Sequence, residues 1–334
     1  MILPLVTLGT FSSLITASYL KNQSLFSKNP TIFISIASFR DSECPKTIFS
    51  IFQNAKYPQN IYVGICQQNS LKDIPCINDQ NNLYKDNIRI ITLLDIQARG
   101  PTYARWLCST LFKDEDYYLQ IDSHTQFVKD WDEKLLEMIK RCPSLKPILT
   151  YYPKNYGETQ HEELVPRLCI GQFESNNDII SLRGVQLKTS PKDIPTITGY
   201  IAGGFLFGPS KFIKEVPFDP DLPYLFNGEE ILHSARLWTS GWDFFTPTEN
   251  ICYHFYGRND YPKYWSNKGY NEYVTNSIDK LNYILKFSNK YPNKMLMMGE
   301  DMYGLGKERS LEDYYKFIGL DYKNKKFTKD FCKM

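Results

Sequence analysis

A chain of 334 residues is long enough for one large domain or two small ones, and it can bury a substantial core. Its 39 Lys and Arg against 37 Asp and Glu leave a net charge of +2. That gives no broad positive field for nucleic acid or an anionic membrane, so any anionic ligand must be gripped locally. Apolar and charged shares of 42% and 23% are ordinary for a globular protein, but an aromatic share of 15% is high. Aromatic rings fill cores and also line sugar and base sites.

Residues 1–20 are apolar but diluted by Thr, Ser, Gly and Pro4. No Lys or Arg precedes them, so the basic start of a signal peptide is missing. The stretch is long enough to span a bilayer, which leaves membrane contact through residues 1–20 open beside a packed helix or a disordered leader. A polar linker over residues 21–30 ends at Pro30. Thr31–Ser38 (TIFISIAS) is β-branched and reads as a buried strand. Asp41 or Ser42 can cap a following helix with Pro45 in its first turn and Ile48, Phe49, Ile51 and Phe52 inside. Strands are expected at Ile61–Cys66, Ile88–Leu94 and Tyr117–Ile121, and helices at Pro101–Leu111 and Trp131–Ile139.

Alternating strands and helices at this spacing predict a mostly parallel sheet with helices on both faces. Ligands of such sheets sit beyond the carboxyl ends of the strands. The second half is mixed: residues 153–197 carry Pro and Gly breaks and read as excursions over the sheet. A glycine-rich run covers Thr198–Gly208, a helix Glu229–Trp238, a short strand Ile251–Phe255, and two terminal helices Tyr270–Leu285 and Ser310–Phe317. Eight cysteines without a CxxC pair read as buried thiols, which fits a reducing, cytoplasmic compartment.

The chemistry concentrates in YYLQIDSHTQF. In extended chain, residues i and i+2 point to one side, so Asp122 and His124 can face one point past the strand end. Carboxylate plus imidazole suits manganese or another divalent ion. A turn-capping aspartate beside an ordinary loop histidine would look the same, and a metal site needs a third ligand. Of the four histidines, His254 in ICYHFYGR lies best, at the end of an apolar strand. Glu229 and Glu230 open a helix, where the dipole favours carboxylates, and one of them can face a cleft to meet sugar hydroxyls. Gly203-Gly204 marks a bulge or a close backbone approach. Arg99 and Arg105 flank a helix start suited to a diphosphate.

The stretches ISIASFRD, ARGPTYAR, LQIDSH, AGGFLFG, NGEEILHSARLWTSGW and CYHFYG occur here in one order. That order resembles retaining GT-A glycosyltransferases. The resemblance is closer to hydroxyproline-directed N-acetylglucosaminyltransferases and more distant to polypeptide N-acetylgalactosaminyltransferases. It implies a GT-A α/β domain over residues 31–265 and a helical extension over 266–334, behind the leader and linker of 1–30. It implies Mn2+ or Mg2+ held by Asp122, His124 and His254. Nucleotide-sugar contacts are implied for Ser38, Arg40, Asp41, Arg99, Arg105, Asp122, Ser123, Gly203 and Gly204, and catalytic roles for Glu229 and Glu230. The implied donor is a UDP-sugar, with N-acetylglucosamine foremost, and the acceptor a hydroxyl on protein or glycan. The competing readings are a nucleotidyltransferase and an inactive sugar-binding protein of the same fold.

Overall fold

The structure, a computed structural model, describes residues 30–334 apart from 159, 175–178, 259, 268–269, 330 and 334. The expected leader and most of the linker therefore lie outside the described residues. Four strands open the fold: β1 (Ile32–Phe39), β2 (Ile61–Asn69), β3 (Ile88–Leu94) and β4 (Tyr117–Asp122). Helices α1 (Cys44–Asn54), α2 (Pro101–Ser109) and α3 (Trp131–Lys140) accompany them. Strand β1 pairs in parallel with both β2 and β4, and β2 with β3. Its run IFISIASF buries alternate residues on opposite faces. Ile32, Ile34 and Ile36 join a core under α1 and α3, and Phe33 joins a second core on the other face.

Beyond β4 the pattern changes. The short strands β5 (Thr125–Phe127), β6 (Pro147–Thr150) and β7 (Lys154–Asn155) precede a ribbon of β8 (Leu164–Phe173) and β9 (Ile180–Lys188). Then come β10 (Thr196–Thr198), β11 (Phe205–Pro209), α4 (Lys211–Glu215), α5 (Glu229–Thr239), β12 (Asp243–Thr246) and β13 (Cys252–His254). The chain closes with α6 (Tyr270–Ile284), α7 (Glu300–Tyr303), α8 (Leu311–Ile318), β14 (Leu320–Asp321) and β15 (Lys326–Phe327). The main sheet has the order β10-β12-β6-β11-β4-β1-β2-β3. The expected parallel arrangement holds from β4 to β3, but β11 enters antiparallel between β4 and β6. The region read as excursions contains the β8–β9 ribbon, two consecutive strands paired antiparallel from Phe173 with Ile180 to Leu164 with Lys188.

Three local readings are corrected. Phe49 is 45% exposed, because Cys44, Ile48, Ile51 and Phe52 form the inner stripe of α1 and Phe49 falls beside it. Neither Asp41 nor Ser42 caps that helix: Glu43 occupies the cap position without a side-chain cap bond. The cysteines are not all reduced. Cys44–Cys76 and Cys169–Cys332 are disulfides, with Cα atoms 5.0 and 5.2 Å apart, while Cys66, Cys108, Cys142 and Cys252 are free and buried. These bonds close separations of 32 and 163 residues, which the fold alone brings together.

The terminal helices contribute to the main core. Leu281, Ile284 and Leu285 of the α6 region and Leu311, Tyr314 and Ile318 of α8 pack with Leu232 and Trp238 of α5. Ser310 caps α8 by accepting the amide of Asp313. Buried Lys280 pairs with Asp219 at 2.6 Å, tying α6 to the segment before α5. Among the described residues no helix is long and apolar enough to cross a membrane.

Candidate metal centre and donor cleft

The end of β4 delivers Asp122, and the chain turns at Ser123 and His124 into β5. A small second sheet, β5-β13-β7, then sets β13 antiparallel to β5 so that His254 lies opposite Thr125. The amide of Phe255 also donates to the His124 carbonyl at 3.0 Å. This pairing brings His254 to Asp122 across 132 positions, with Nε2 at 3.1 Å from Oδ2. The two imidazoles meet edge to face at 4.4 Å between centroids. One ligand atom from each of Asp122, His124 and His254 lies within 4.8 Å of the others. A carboxylate and two imidazoles so gathered, with Asp122 open to the cleft, fit a divalent cation of mixed hard and borderline character.

Electrostatics agree with that chemistry. Burial pushes the Asp122 carboxyl up, but His254, His124 and Arg105 together hold it well below the usual range. Asp41 behaves alike: burial opposes ionisation, and the hydrogen bond and charge of His124, with Arg258, outweigh it. Burial lowers His124 by more than its Asp41 bond raises it, which keeps the ring neutral and able to ligate.

A cavity of about 470 Å³ opens in front of this cluster. Its far wall is the start of α5. The Arg105 guanidinium donates to Glu229 Oε1 at 2.7 Å, and Thr102 donates to Oε2 at 3.2 Å. The Arg105 and Glu229 side chains are only 8% and 11% exposed, so this is a buried ion pair. Tyr152 donates to Glu230 Oε2 at 2.5 Å, and the Gly203 amide donates to Oε1 at 2.6 Å. The Gly203 carbonyl in turn accepts from Gln120 at 2.6 Å and Arg105 at 3.1 Å. Burial, helped by the charge of Glu229, raises Glu230 to about 7 despite those two donors. The Gly203-Gly204 pair is needed for close approach. A Cβ at Gly203 would stand 3.0 Å from Glu229 Oε1, and one at Gly204 would stand 2.9 Å from Asp122 Oδ2.

The residues expected at the site separate into two groups. Arg105, Asp122, Ser123, His124, Gly203, Gly204, Glu229, Glu230 and His254 all line the cavity. Ser38, Arg40, Asp41 and Arg99 do not appear on its walls. Arg40 has a left-handed backbone, φ 48°, which turns its side chain to Asp73 at 2.8 Å and Asp95 at 3.4 Å. Ser38 is fully buried in the sheet, and Asp41 is buried behind His124. Arg99 lies over the Tyr103 ring and lines a separate cavity with Tyr224 and Tyr273. His161 is exposed, and His233 is buried against Phe218, each apart from the cluster.

Sequence reasoning missed Arg258, Lys263, Tyr152 and Tyr256, all on the cavity wall. Arg258 had a signal, since it follows His254 by four residues in the same run. Tyr152 had none, because only its partnership with Glu230 distinguishes it.

A family model described as "Glycosyltransferase (GlcNAc)" matches residues 31–82 and 78–324, most of the chain. Among curated proteins nothing matches. Among solved structures, GalNAc-T7 with UDP, GalNAc and Mn2+ aligns at a TM-score of 0.56 and 14% identity, covering 94% of this chain. The present chain spans 66% of that one, just under two thirds of its length. Staphylococcus aureus TarS 1-349 with UDP-GlcNAc aligns at 0.46 and 11% identity, covering 82% of this chain and 70% of that one. The mannosyltransferase PcManGT of Pyrobaculum calidifontis, with GDP-Man and Mn2+, aligns at 0.47 and 9%, covering 92% and 78%. At such identity the likeness to GalNAc-T7 is one of fold, a GT-A α/β domain. The family match goes further, and the chain belongs to the GlcNAc glycosyltransferase family.

Proposed function

We propose that this glycosyltransferase moves N-acetylglucosamine from UDP-N-acetylglucosamine to a hydroxyl acceptor with retention of anomeric configuration, using Mn2+ or Mg2+. The observation that carries the reading is the convergence of Asp122, His124 and His254 at the mouth of a cleft walled by Glu230 and Gly203. A divalent ion there would neutralise charge gathering on the departing diphosphate. Arg258 and Lys263, both on the cleft wall, are the cations suited to share that charge. Glu230, with Tyr152, is assigned to the sugar hydroxyls.

Neither glutamate is unengaged. Glu229 is committed to Arg105 and Thr102, and Glu230 to Tyr152 and the Gly203 amide. This favours same-face attack, in which the departing phosphate oxygen takes the acceptor proton, over a covalent glycosyl-enzyme. Mass-spectrometric capture of a sugar ester on Glu229 or Glu230 would overturn it. The acceptor class follows the resemblance: protein hydroxyproline first, then Ser or Thr. Residues 31–265 form the catalytic unit in this reading, with 266–334 packed on it. The two disulfides support maturation in an oxidising compartment instead of the cytoplasm.

The test is UDP release across a panel of UDP-sugars with Mn2+, which needs no acceptor when the enzyme slowly hydrolyses its donor. UDP-N-acetylglucosamine should be turned over fastest, and chelation should abolish release. Equal rates for wild type and Asp122→Ala would refute the metal-dependent mechanism.

A further inference from the structure

The two imidazoles of the cluster are held in different ways. His254 presents Nε2 to Asp122, while its Nδ1 is buried without a hydrogen-bond partner among the described residues; its ring leans on Tyr256 with centroids 4.1 Å apart. His124 instead has Nδ1 at 2.8 Å from Asp41 Oδ2. Asp41 is 1% exposed, and two further hydrogen-bond donors and a guanidinium charge converge on it. The Ser123 hydroxyl lies 2.5 Å and the Arg258 guanidinium 3.3 Å from Oδ2, and the Glu43 amide donates to Oδ1 at 3.0 Å. A carboxylate so surrounded only accepts, so the His124 nitrogen facing it must carry the proton.

We propose that Asp41 is a positioning residue for the metal centre: its carboxylate fixes His124 as the Nδ1–H tautomer and leaves Nε2 as the nitrogen that ligates. The inference rests on the metal-centre reading above. A carboxylate behind a ligating imidazole sets both ring orientation and ligand basicity. Here the same oxygen also holds Ser123 and Arg258, so a single buried group orders a ligand, its chain neighbour and a cation of the cleft wall. The sequence places Asp41 past the end of β1, where it reads as a nucleotide contact; the fold turns it inward, behind the ligand and away from the cleft.

The test begins with the metal-free wild type carrying 15N-labelled histidine, its four ring systems assigned by single variants. The His124 ring should show a protonated Nδ1 and a bare Nε2; the opposite tautomer overturns the proposal without any variant. Mn2+ binding is then followed by titration calorimetry and by the electron paramagnetic resonance of the bound ion. Asp41→Asn, with folding checked by circular dichroism, should bind Mn2+ about 10- to 100-fold more weakly, with an altered spectrum. A folded Asp41→Asn that binds Mn2+ as wild type does, while Asp122→Ala does not bind, overturns the role of Asp41 and leaves the metal centre standing. If wild type itself fails to bind Mn2+, the metal-centre reading falls and the proposal falls with it. Should Asp41→Asn not fold, the wild-type tautomer decides.

Discussion

The two walls of the cleft are built from the same kind of group and reach opposite electrostatic outcomes. On the β4 side, buried Asp41 and cleft-facing Asp122 lie among His124, His254, Arg105 and Arg258, and both carboxyls sit below their usual range. On the α5 side, Glu229 and Glu230 are adjacent, share one neighbouring cation in Arg105, and both sit above it. Burial opposes ionisation on both walls, so the sign is set by the neighbours. In the proposed mechanism, the first wall would supply anionic ligands to a cation. The other, with a carboxyl near neutrality, would donate or accept toward a sugar hydroxyl.

The strongest challenge to this contrast is removal of its anionic anchor. Asp122→Ala should lower sugar transfer or donor hydrolysis by about a hundredfold or more, because in the proposed mechanism a metal-held diphosphate would contribute several kcal/mol at the transition state. Steady-state UDP release measures it. On the opposite wall, Glu229→Ala should act on stability first. It removes the nearest partner of the buried Arg105 guanidinium, which keeps Asp122 at 3.7 Å and the Gly203 carbonyl at 3.1 Å, a loss of roughly 1.5–3 kcal/mol, read as a shift in urea unfolding. A variant as stable as wild type would mean that Glu229 is held for the substrate and not for Arg105.

The pH dependence of stability should divide along the same line. Glu230 is raised from 4.5 to about 7, so its folded form binds the proton more tightly than its unfolded form. Its contribution is therefore fully present below about pH 4.5 and is lost as the pH rises through 7, on the order of 1–3 kcal/mol. Glu230→Gln should flatten the fall in melting temperature between pH 5 and pH 8 (roughly the two ends of that titration). Asp122 and Asp41, being lowered, contribute stability above the usual carboxylate range that is lost as the pH falls through their folded values.

The smallest effects should come from the adjacent glycines, which touch different walls. Gly204→Ala presses on Asp122 and should weaken Mn2+ binding about two- to fivefold, a shift of under roughly 1 kcal/mol. Gly203→Ala presses on Glu229 and Arg105 and should leave Mn2+ affinity nearly unchanged while raising the KM for the donor. Calorimetry with Mn2+ and donor kinetics on both variants separate the two walls.

Much of the first half was legible because its signals are local. The run TIFISIAS, the strand YYLQI and the helix after Pro101 each carry their periodicity within a dozen residues, and β1, β2, β3 and α2 lie within a few positions of expectation. Asp122 and His124 share a strand end, so their common direction follows from extended-chain geometry alone. His254 could be selected from four histidines by its strand context, but its distance from Asp122 could not. The positions of Ser38, Arg40, Asp41 and Arg99 off the cavity wall were not legible, because side-chain directions near a strand end or helix start depend on groups elsewhere, such as Asp73 for Arg40 and His124 for Asp41.

By itself, then, the sequence determined the alternating α/β framework, the strand-end position of the Asp122-Ser123-His124 turn, and the residue types available for sugar and metal chemistry. Tertiary structure decided which of them meet. Pairing of β13 with β5 carried His254 to Asp122, and β11 entered the sheet antiparallel to set Gly203 against Glu230. It joined Cys44 to Cys76 and Cys169 to Cys332, and it turned Arg40 and Asp41 away from the cleft. Backbone periodicity is a short-range property, whereas ligand geometry and pKa depend on groups within a few ångströms that the chain brings from tens of positions away, as with Gly203 and Glu230, to more than a hundred, as with His254 and Asp122.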